Sequence, residues 1–146
     1  MLKNKEIREK REKTETMKVT VSWQQNLRFT CKTETGHDLE LDGNGEILTP
    51  MESVLLSVGA CSSIDVVDIL KKSTKSVDNC ECQLDAERAD EAPRIFTSIH
   101  AHYIVKGKDL TEQDVATAVQ LSADKYCSVM LMMTGNVKIT TSYEIA

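Results

Sequence analysis

The sequence predicts an α+β fold in which antiparallel sheet surrounds a long central helix. Three short segments that alternate between polar and apolar residues come first, and one long apolar helix follows them. Two longer alternating segments, two helical segments and a final strand complete the order βββ-α-ββ-αα-β. Because strands and helices are segregated along the chain instead of alternating, the pattern favours α+β over a parallel α/β fold.

The composition is that of one globular domain preceded by a charged tail. Of the 146 residues, 40% are hydrophobic and 28% are charged. Residues 1–16 hold ten charged side chains and too few apolar ones to form a buried stripe. We therefore interpret 1–16 as a flexible N-terminal tail and 17–146 as the folded domain.

Charge and hydropathy argue against several classes of protein. The formal net charge of −5 predicts no basic surface for nucleic acid or for anionic membranes. The longest mostly apolar run, Val54–Cys61, has eight residues, whereas a bilayer-spanning helix needs roughly 20. The N-terminal residues do not resemble a signal peptide. We expect a cytoplasmic protein that binds neither nucleic acid nor membrane and whose five cysteines are kept reduced.

The first strands and the long helix have well-marked boundaries. Strands are expected at 18–23, 27–34 and 37–42. Thr49 then serves as N-cap, Pro50 occupies the first helical position, and Glu52 completes a capping box. The helix that follows, 51–73, is apolar on nearly every side of its first half. Such a helix requires cover from a sheet or from a partner chain.

A longer hairpin and a helical region complete the fold. The hairpin strands are expected at 77–87 and 96–105, with an inner face of Cys80, Cys82, Leu84, Ala86, Ile99, Ala101, Tyr103 and Val105. Thr111 caps a second helix, a short third helix begins at Cys127, and the last strand is expected at 136–145.

Two of the five cysteines differ from the rest. Cys61 and Cys127 are both placed on helices, and Cys127 falls at a helix N-terminus, where free amides favour a thiolate by a few tenths to about 1 kcal/mol. Cys80 and Cys82 lie two positions apart on one strand, where Cα atoms are roughly 6.5–7 Å apart, at the limit for a disulfide. We interpret that pair as core packing, and nothing near Cys31 indicates an activated thiol.

Three stretches carry a resemblance to a known family. They are TPMESVLLSVGACSSIDVVDIL, EAPRIFTSIHAHYIVKG and SADKYCSVMLMM, in this order. They resemble the signature regions of the OsmC/Ohr family, the osmotically inducible and organic hydroperoxide resistance proteins, and most of all its YhfA-type branch. The resemblance extends from Met17 to Ala146. It implies an intertwined homodimer whose active cysteines lie at the subunit interface.

The resemblance also implies a function for two of the cysteines. Cys61 matches the peroxidatic cysteine of the family and Cys127 the resolving cysteine. The protein would then be a thiol peroxidase that reduces organic hydroperoxides, and hydrogen peroxide as a further candidate, in a stress response. A dithiol reductant, either a lipoyl protein or a thioredoxin-like protein, would reopen the Cys61–Cys127 disulfide. No metal or organic cofactor is required.

An arginine and a glutamate support the reactive thiolate in the family, and the candidates here are Arg28 and Glu52. Arg28 begins the second strand, near the loop where the family arginine is found, and an exposed strand charge is an equally open interpretation. Glu52 precedes Cys61 by nine positions, which places it about 180° around a helix. The residue that matches the family glutamate is Met51, so the sequence favours a helix-capping role for Glu52.

Two functions other than peroxidase are left open by the sequence. One is a non-catalytic dimer of the same fold that binds a small apolar ligand. The other is a redox sensor whose disulfide changes its binding to a partner. His100 and His102 share one strand face but lack a third ligand at a suitable spacing, so we interpret them as solvated side chains and not as a metal site.

Overall fold

A computed structural model describes residues 16–73 and 75–146, and the chain divides into two compact units, 1–53 and 54–146. The predicted tail therefore lies outside the described residues, except for Thr16. The structure confirms the predicted α+β class and the element order βββ-α-ββ-αα-β.

The first unit contains a three-stranded antiparallel sheet. Its strands, in spatial order, are β1 (Val19–Gln25), β2 (Arg28–Thr33) and β3 (Asp38–Asp42). The register pairs Val21 with Cys31 and Cys31 with Leu39, so these side chains share one face. Four apolar residues of that face are between 45% and 65% exposed: Val19, Val21, Trp23 and Leu39. The first unit therefore presents an apolar sheet face to its surroundings.

The long helix α1 (Pro50–Lys72) buries one stripe and exposes another. Val58, Val66 and Leu70 are at most 1% exposed and belong to the core of the second unit. Leu56 and Ile64, in contrast, are 59% and 68% exposed. The burial of one face and the exposure of apolar residues on another match the prediction of a helix that needs further cover.

By length and composition alone, α1 could cross a membrane. Such a helix was not predicted from the sequence, because only the short, mostly apolar run Val54–Cys61 was considered. Small residues such as Ser57 and Ser62 interrupt the apolar sequence but lower the mean hydropathy of the whole helix only slightly. The core helix of a soluble domain meets the same criterion. The buried stripe of α1 is what such a core helix requires.

The second unit contains the sheet formed by β4 (Asn79–Arg88), β5 (Phe96–Lys106) and β6 (Lys138–Ile145). The β4–β5 hairpin pairs Cys82 with Tyr103 and Leu84 with Ala101, which confirms the predicted inner face. The β5–β6 pair is parallel, so the expectation of antiparallel sheet is wrong for this one pair. The chain crosses over between β5 and β6 through its last two helices, and a crossover of that length allows parallel pairing.

The helical region between β5 and β6 ends at Cys127. It consists of α2 (Glu112–Leu121), a wider π-helical turn (Ser122–Tyr126) and α3 (Ser128–Met133). The Cys127 N–H closes the π turn by donating to the Ser122 carbonyl at 2.8 Å. Cys127 is also the N-cap of α3, which confirms its predicted place at a helix start.

Gly59 allows α1 to approach β4 closely. A Cβ atom at Gly59 would lie 2.6 Å from Leu84 Cδ1, which is closer than two carbon atoms can pack. The absence of a side chain at Gly59 therefore brings the following turn of α1, which carries Cys61, Ser62 and Ser63, over the inner face of the hairpin.

Candidate thiol site

The structure brings Cys61 and Cys127 together. Cys61 lies on α1 and is half-buried, whereas Cys127 is fully buried at the start of α3. Their thiols are within hydrogen-bonding reach of each other. The two cysteines singled out in the sequence are therefore neighbours in space within the second unit.

The environment of Cys127 favours its protonated form. Burial raises the pKa of the Cys127 thiol to about 11, and the nearby Cys61 and Asp65 act in the same direction. The Met130 N–H donates to Cys127 Sγ at 3.5 Å and opposes part of this rise. The helix N-terminus thus favours the thiolate of Cys127 as expected, through the Met130 amide, but desolvation outweighs this contribution.

A buried network of hydroxyl groups lies beside the two thiols. Ser62 Oγ is hydrogen-bonded to Tyr103 Oη and, at 2.9 Å, to Ser122 Oγ. Ser122 Oγ donates to Asp65 Oδ2 at 3.0 Å. The three hydroxyl residues are fully buried and Asp65 is half-buried. The network joins β5, α1 and the π turn around the cysteines.

Sequence reasoning did not single out the residues of this network. One signal was present, because a tyrosine on the inner face of a strand needs a hydrogen-bond partner for its hydroxyl group. A second signal was that Asp65 lies four positions, about one helical turn, after Cys61. Neither pattern identifies Ser122, which becomes a neighbour only through the path of the chain.

Cys80 and Cys82 lie near this site on the inner face of β4. Burial raises the pKa of both thiols, and the Ser63 hydroxyl, within hydrogen-bonding reach of both, opposes part of the rise. The Cys82 thiol is also within hydrogen-bonding reach of the Tyr103 hydroxyl. Both are half-buried thiols whose protonated form is favoured, in line with a packing role.

Arg28, in the first unit, binds two carboxylates. Its Nη2 lies 3.1 Å from Glu46 Oε2 and 3.7 Å from Asp42 Oδ2. Asp42 is almost fully buried and also accepts from the backbone N–H groups of Asn44 and Glu46. Arg28 thus compensates a buried charge at the turn after β3. Neither of these two contacts was predicted from the sequence, because only a thiolate stabiliser or an exposed strand charge was considered.

Glu52 forms a capping box with Thr49 at the start of α1. The Thr49 N–H donates to Glu52 Oε1 at 3.0 Å, and the Glu52 N–H donates to Thr49 Oγ1 at 3.2 Å. The backbone and hydroxyl groups of Thr49 lower the pKa of the Glu52 carboxyl below its ordinary value. The Glu52 carboxylate thus accepts a hydrogen bond from the backbone at the N-terminus of α1, as a capping residue does.

The two histidines lie on the outer face of the second sheet. His100 is hydrogen-bonded to Thr140 and Ser142, and His102 to Ser142. Among residues 16–73 and 75–146 no three His, Cys, Asp or Glu side chains are grouped so that they could hold a metal ion.

Comparison with known proteins identifies relatives over most of the chain. Residues 43–142 match the family model described as OsmC-like protein. Protein YhfA of Escherichia coli (strain K12) is 49% identical over 131 residues, which cover 88% of this chain and 98% of that protein.

Solved structures show the same fold. A hypothetical protein from Aquifex aeolicus VF5 is 31% identical, with a TM-score of 0.83 over 91% of this chain and 98% of that one. An organic hydroperoxide resistance protein, OsmC, from Legionella pneumophila is 15% identical, with a TM-score of 0.69 over 88% of this chain and 96% of that one. At 15% identity the likeness concerns the fold alone.

Proposed function

Because the chain belongs to the OsmC-like protein family, as its sequence motifs indicated, we propose that it is a thiol-dependent peroxidase that reduces organic hydroperoxides. The observation that carries the proposal is the contact between Cys61 and Cys127. Hydroperoxide resistance is the role named for the OsmC protein of Legionella pneumophila, which has the same fold. The proposal extends that role to this chain and assigns it to the two thiols.

The proposed reaction has three steps. The Cys61 thiolate attacks the distal oxygen of the hydroperoxide, the O–O bond breaks, and the alcohol leaves after taking up a proton. Cys61 is then a sulfenic acid. Cys127 Sγ displaces its hydroxyl group as water and forms a Cys61–Cys127 disulfide. A dithiol reductant, a lipoyl or thioredoxin-like protein, exchanges with this disulfide and returns both thiols.

The two cysteines differ in access to substrate. Cys61 is half-buried and Cys127 is fully buried, which supports Cys61 as the thiol that meets the peroxide. The Cys61–Cys127 contact then supplies the second thiol without a large movement. We assign Glu52 to capping, and Arg28 stays a candidate thiolate stabiliser whose guanidinium already binds Asp42 and Glu46.

We further propose that the protein acts as a homodimer in the cytoplasm. Proteins of the OsmC/Ohr family are typically homodimers. Leu56 and Ile64 of α1 and the apolar face of the first sheet, including Val21 and Trp23, are exposed in the single chain. Burying such surface would stabilise a dimer by about 25 cal/mol per Å² of apolar area.

A peroxide-consumption assay tests the proposed function. Cumene hydroperoxide, a fatty-acid hydroperoxide and hydrogen peroxide are each offered with dihydrolipoamide or reduced thioredoxin. We expect turnover with the organic hydroperoxides, loss of turnover in Cys61→Ser, and wild-type turnover in Cys31→Ser as the matched control. No consumption of any peroxide by the dimeric wild-type protein would contradict the proposal and favour a non-catalytic, ligand-binding dimer.

A further inference from the structure

Ser122 contacts both of the chain segments that carry the thiols. Its carbonyl accepts from the Cys127 N–H at 2.8 Å and so closes the π turn. Its hydroxyl oxygen lies 2.9 Å from Ser62 Oγ, 3.3 Å from the Ser62 carbonyl oxygen and 3.0 Å from Asp65 Oδ2, all of which belong to α1. Cys61 is the residue before Ser62. Ser122 therefore links the backbone of Cys127 to the turn of α1 that carries Cys61.

This link is protected from solvent. Ser62, Ser122 and Cys127 are each 0% exposed, so water does not compete for their hydrogen bonds. Ser62 Oγ has a second partner in the Tyr103 hydroxyl of β5, which is also fully buried. A buried network whose members all have partners holds its side chains in one arrangement. The distance between α1 and the π turn is therefore fixed at Ser62 and Ser122.

The sulfur atom of Cys127 is held as well as its backbone. The Met130 N–H donates to Cys127 Sγ at 3.5 Å in the first turn of α3. The backbone of Cys127 follows a π turn, and single π turns are frequent at functional sites. Because both ends of Cys127 are held, its approach to Cys61 depends on where the π turn lies relative to α1. Ser122 determines that placement.

We propose that Ser122, together with Ser62, is a positioning residue for the step in which Cys127 resolves the Cys61 sulfenic acid, and that it thereby protects Cys61 from further oxidation. This inference rests on the proposed peroxidase function and deepens it. Neither serine takes part in the chemistry, since each acts through the cysteine to which its segment connects it.

The sulfenic acid at Cys61 has two fates. In the first, Cys127 Sγ bonds to the sulfenic sulfur, the S–O bond breaks, and hydroxide leaves as water with the thiol proton of Cys127. In the second, another hydroperoxide molecule transfers its distal oxygen to the sulfenic sulfur. Cys61 then becomes a sulfinic acid, and that hydroperoxide is reduced to its alcohol.

Positioning decides between these two fates. The first reaction is intramolecular, and a disulfide requires a narrow range of distances and dihedral angles between the two residues. A misplacement of about 1 Å can slow such a step by about 10²-fold. The second reaction depends on the peroxide concentration and not on Cys127. The amount of sulfinic acid at Cys61 therefore measures how well Cys127 is placed.

The test compares overoxidation in the wild type and in Ser122→Ala, which loses the hydroxyl group and keeps the carbonyl that accepts from Cys127. Both proteins turn over increasing concentrations of cumene hydroperoxide with dihydrolipoamide, and mass spectrometry quantifies the sulfinic acid at Cys61. We expect half of Cys61 to be overoxidised at about a ten-fold lower peroxide concentration in Ser122→Ala. Ser62→Ala breaks the same link from α1 and should shift the concentration in the same direction.

Val115→Ala is the control for a general loss of stability. Val115 is fully buried in α2, and its apolar side chain takes no part in the hydrogen-bond network. Urea is added to whichever variant is the more stable until both have the same free energy of unfolding. Val115→Ala should then keep a wild-type sensitivity to peroxide. An equal shift in both variants would overturn the inference, because overoxidation would then follow stability alone.

A second measurement does not need peroxide. The Cys61–Cys127 disulfide is equilibrated with mixtures of oxidised and reduced dithiothreitol, and the equilibrium constant for its formation should fall about ten-fold in Ser122→Ala. An unchanged constant would overturn the inference even in an active peroxidase. A lowered constant in a protein whose wild type consumes no peroxide would refute the proposed function and leave the positioning of Cys127 by Ser122 intact. If Ser122→Ala does not fold, Ser62→Ala is judged by the same two measurements.

Discussion

Ser62 Oγ and Ser122 Oγ lie 2.9 Å apart in the fully buried interior of the second unit. Ser62 follows Cys61 directly on α1, and the Ser122 carbonyl accepts from the Cys127 N–H. This hydrogen bond, together with the bond from Ser122 Oγ to Asp65, therefore connects the two chain segments that carry the thiols. Ser62 Oγ is also hydrogen-bonded to the Tyr103 hydroxyl of β5.

Tyr103→Phe is predicted to destabilise the protein while leaving the ring packing intact. The substitution removes the hydroxyl group that is hydrogen-bonded to Ser62, so the buried Ser62 hydroxyl loses one of its two partners. We expect the free energy of unfolding, measured by urea denaturation, to fall by about 1–3 kcal/mol. Tyr143→Phe is the control, because Tyr143 lies opposite Tyr103 on β6 and is only half-buried. Equal losses in both variants would contradict the role assigned to the Tyr103–Ser62 bond.

Oxidation is predicted to link Cys61 to Cys127 while Cys31, Cys80 and Cys82 stay reduced. Cys61 and Cys127 are in contact, and burial raises the pKa of the Cys80 and Cys82 thiols, which makes them less reactive. Peptide mapping after one equivalent of peroxide measures the pairing. In Cys127→Ser, a dimedone adduct should instead accumulate on Cys61. A main crosslink that contains Cys80 or Cys82 would show the assignment to be wrong.

The fold could be predicted from the sequence where a local pattern determines the structure. Alternation at period 2 gave the inner face of β4 and β5, because residues opposite each other in a hairpin share a face. The parallel pairing of β6 with β5 could not be predicted in this way. A strand alternates identically in parallel and antiparallel pairs, and its partner depends on the path of the chain through α2 and α3.

The two cysteines of the candidate site could be predicted from the sequence, but the hydrogen-bond network beside them could not. Cys61 and Cys127 were found through the family motifs around them. The bond between Asp65 and Ser122 joins residues 57 positions apart, and each has an ordinary local context. The raised pKa of Cys127 could not be predicted, because the sequence shows a helix N-terminus but not the burial that outweighs it.

The protein is predicted to be a homodimer that a charge on α1 disrupts. Ile64 is 68% exposed on a helix whose opposite face is buried. If a second copy covers this surface, Ile64→Arg should shift sedimentation from dimer to monomer at micromolar concentration, because a charge would be desolvated at the interface. Asp68→Ala, a charge change nearby on α1, should leave the dimer intact. A stable folded monomer of the wild-type chain would refute the prediction.

Glu52→Gln is predicted to change the acid stability of the protein and not its turnover. Folding lowers the pKa of the Glu52 carboxyl below the ordinary 4.5, so the ionised form stabilises the fold above that pH. This contribution is lost as the pH falls through the lower pKa of the folded state. The melting temperature of the wild type should therefore fall more steeply on acidification than that of Glu52→Gln. At neutral pH the variant should melt only slightly lower, because glutamine also serves in a capping box.

Asp114→Asn is a control variant that distinguishes a capping role of Glu52 from a catalytic role. Asp114 completes the capping box of α2 with Thr111, and Thr111 lowers its carboxyl pKa in the same way. If Glu52 only caps α1, both variants should lose part of the acid dependence of the melting temperature and keep peroxide turnover within a few-fold of wild type. If Glu52 instead orients the peroxide together with Arg28, its variant alone should lose turnover by an order of magnitude at an unchanged melting temperature. The capping box favours the first result, since the carboxylate of Glu52 already accepts the Thr49 N–H at 3.0 Å.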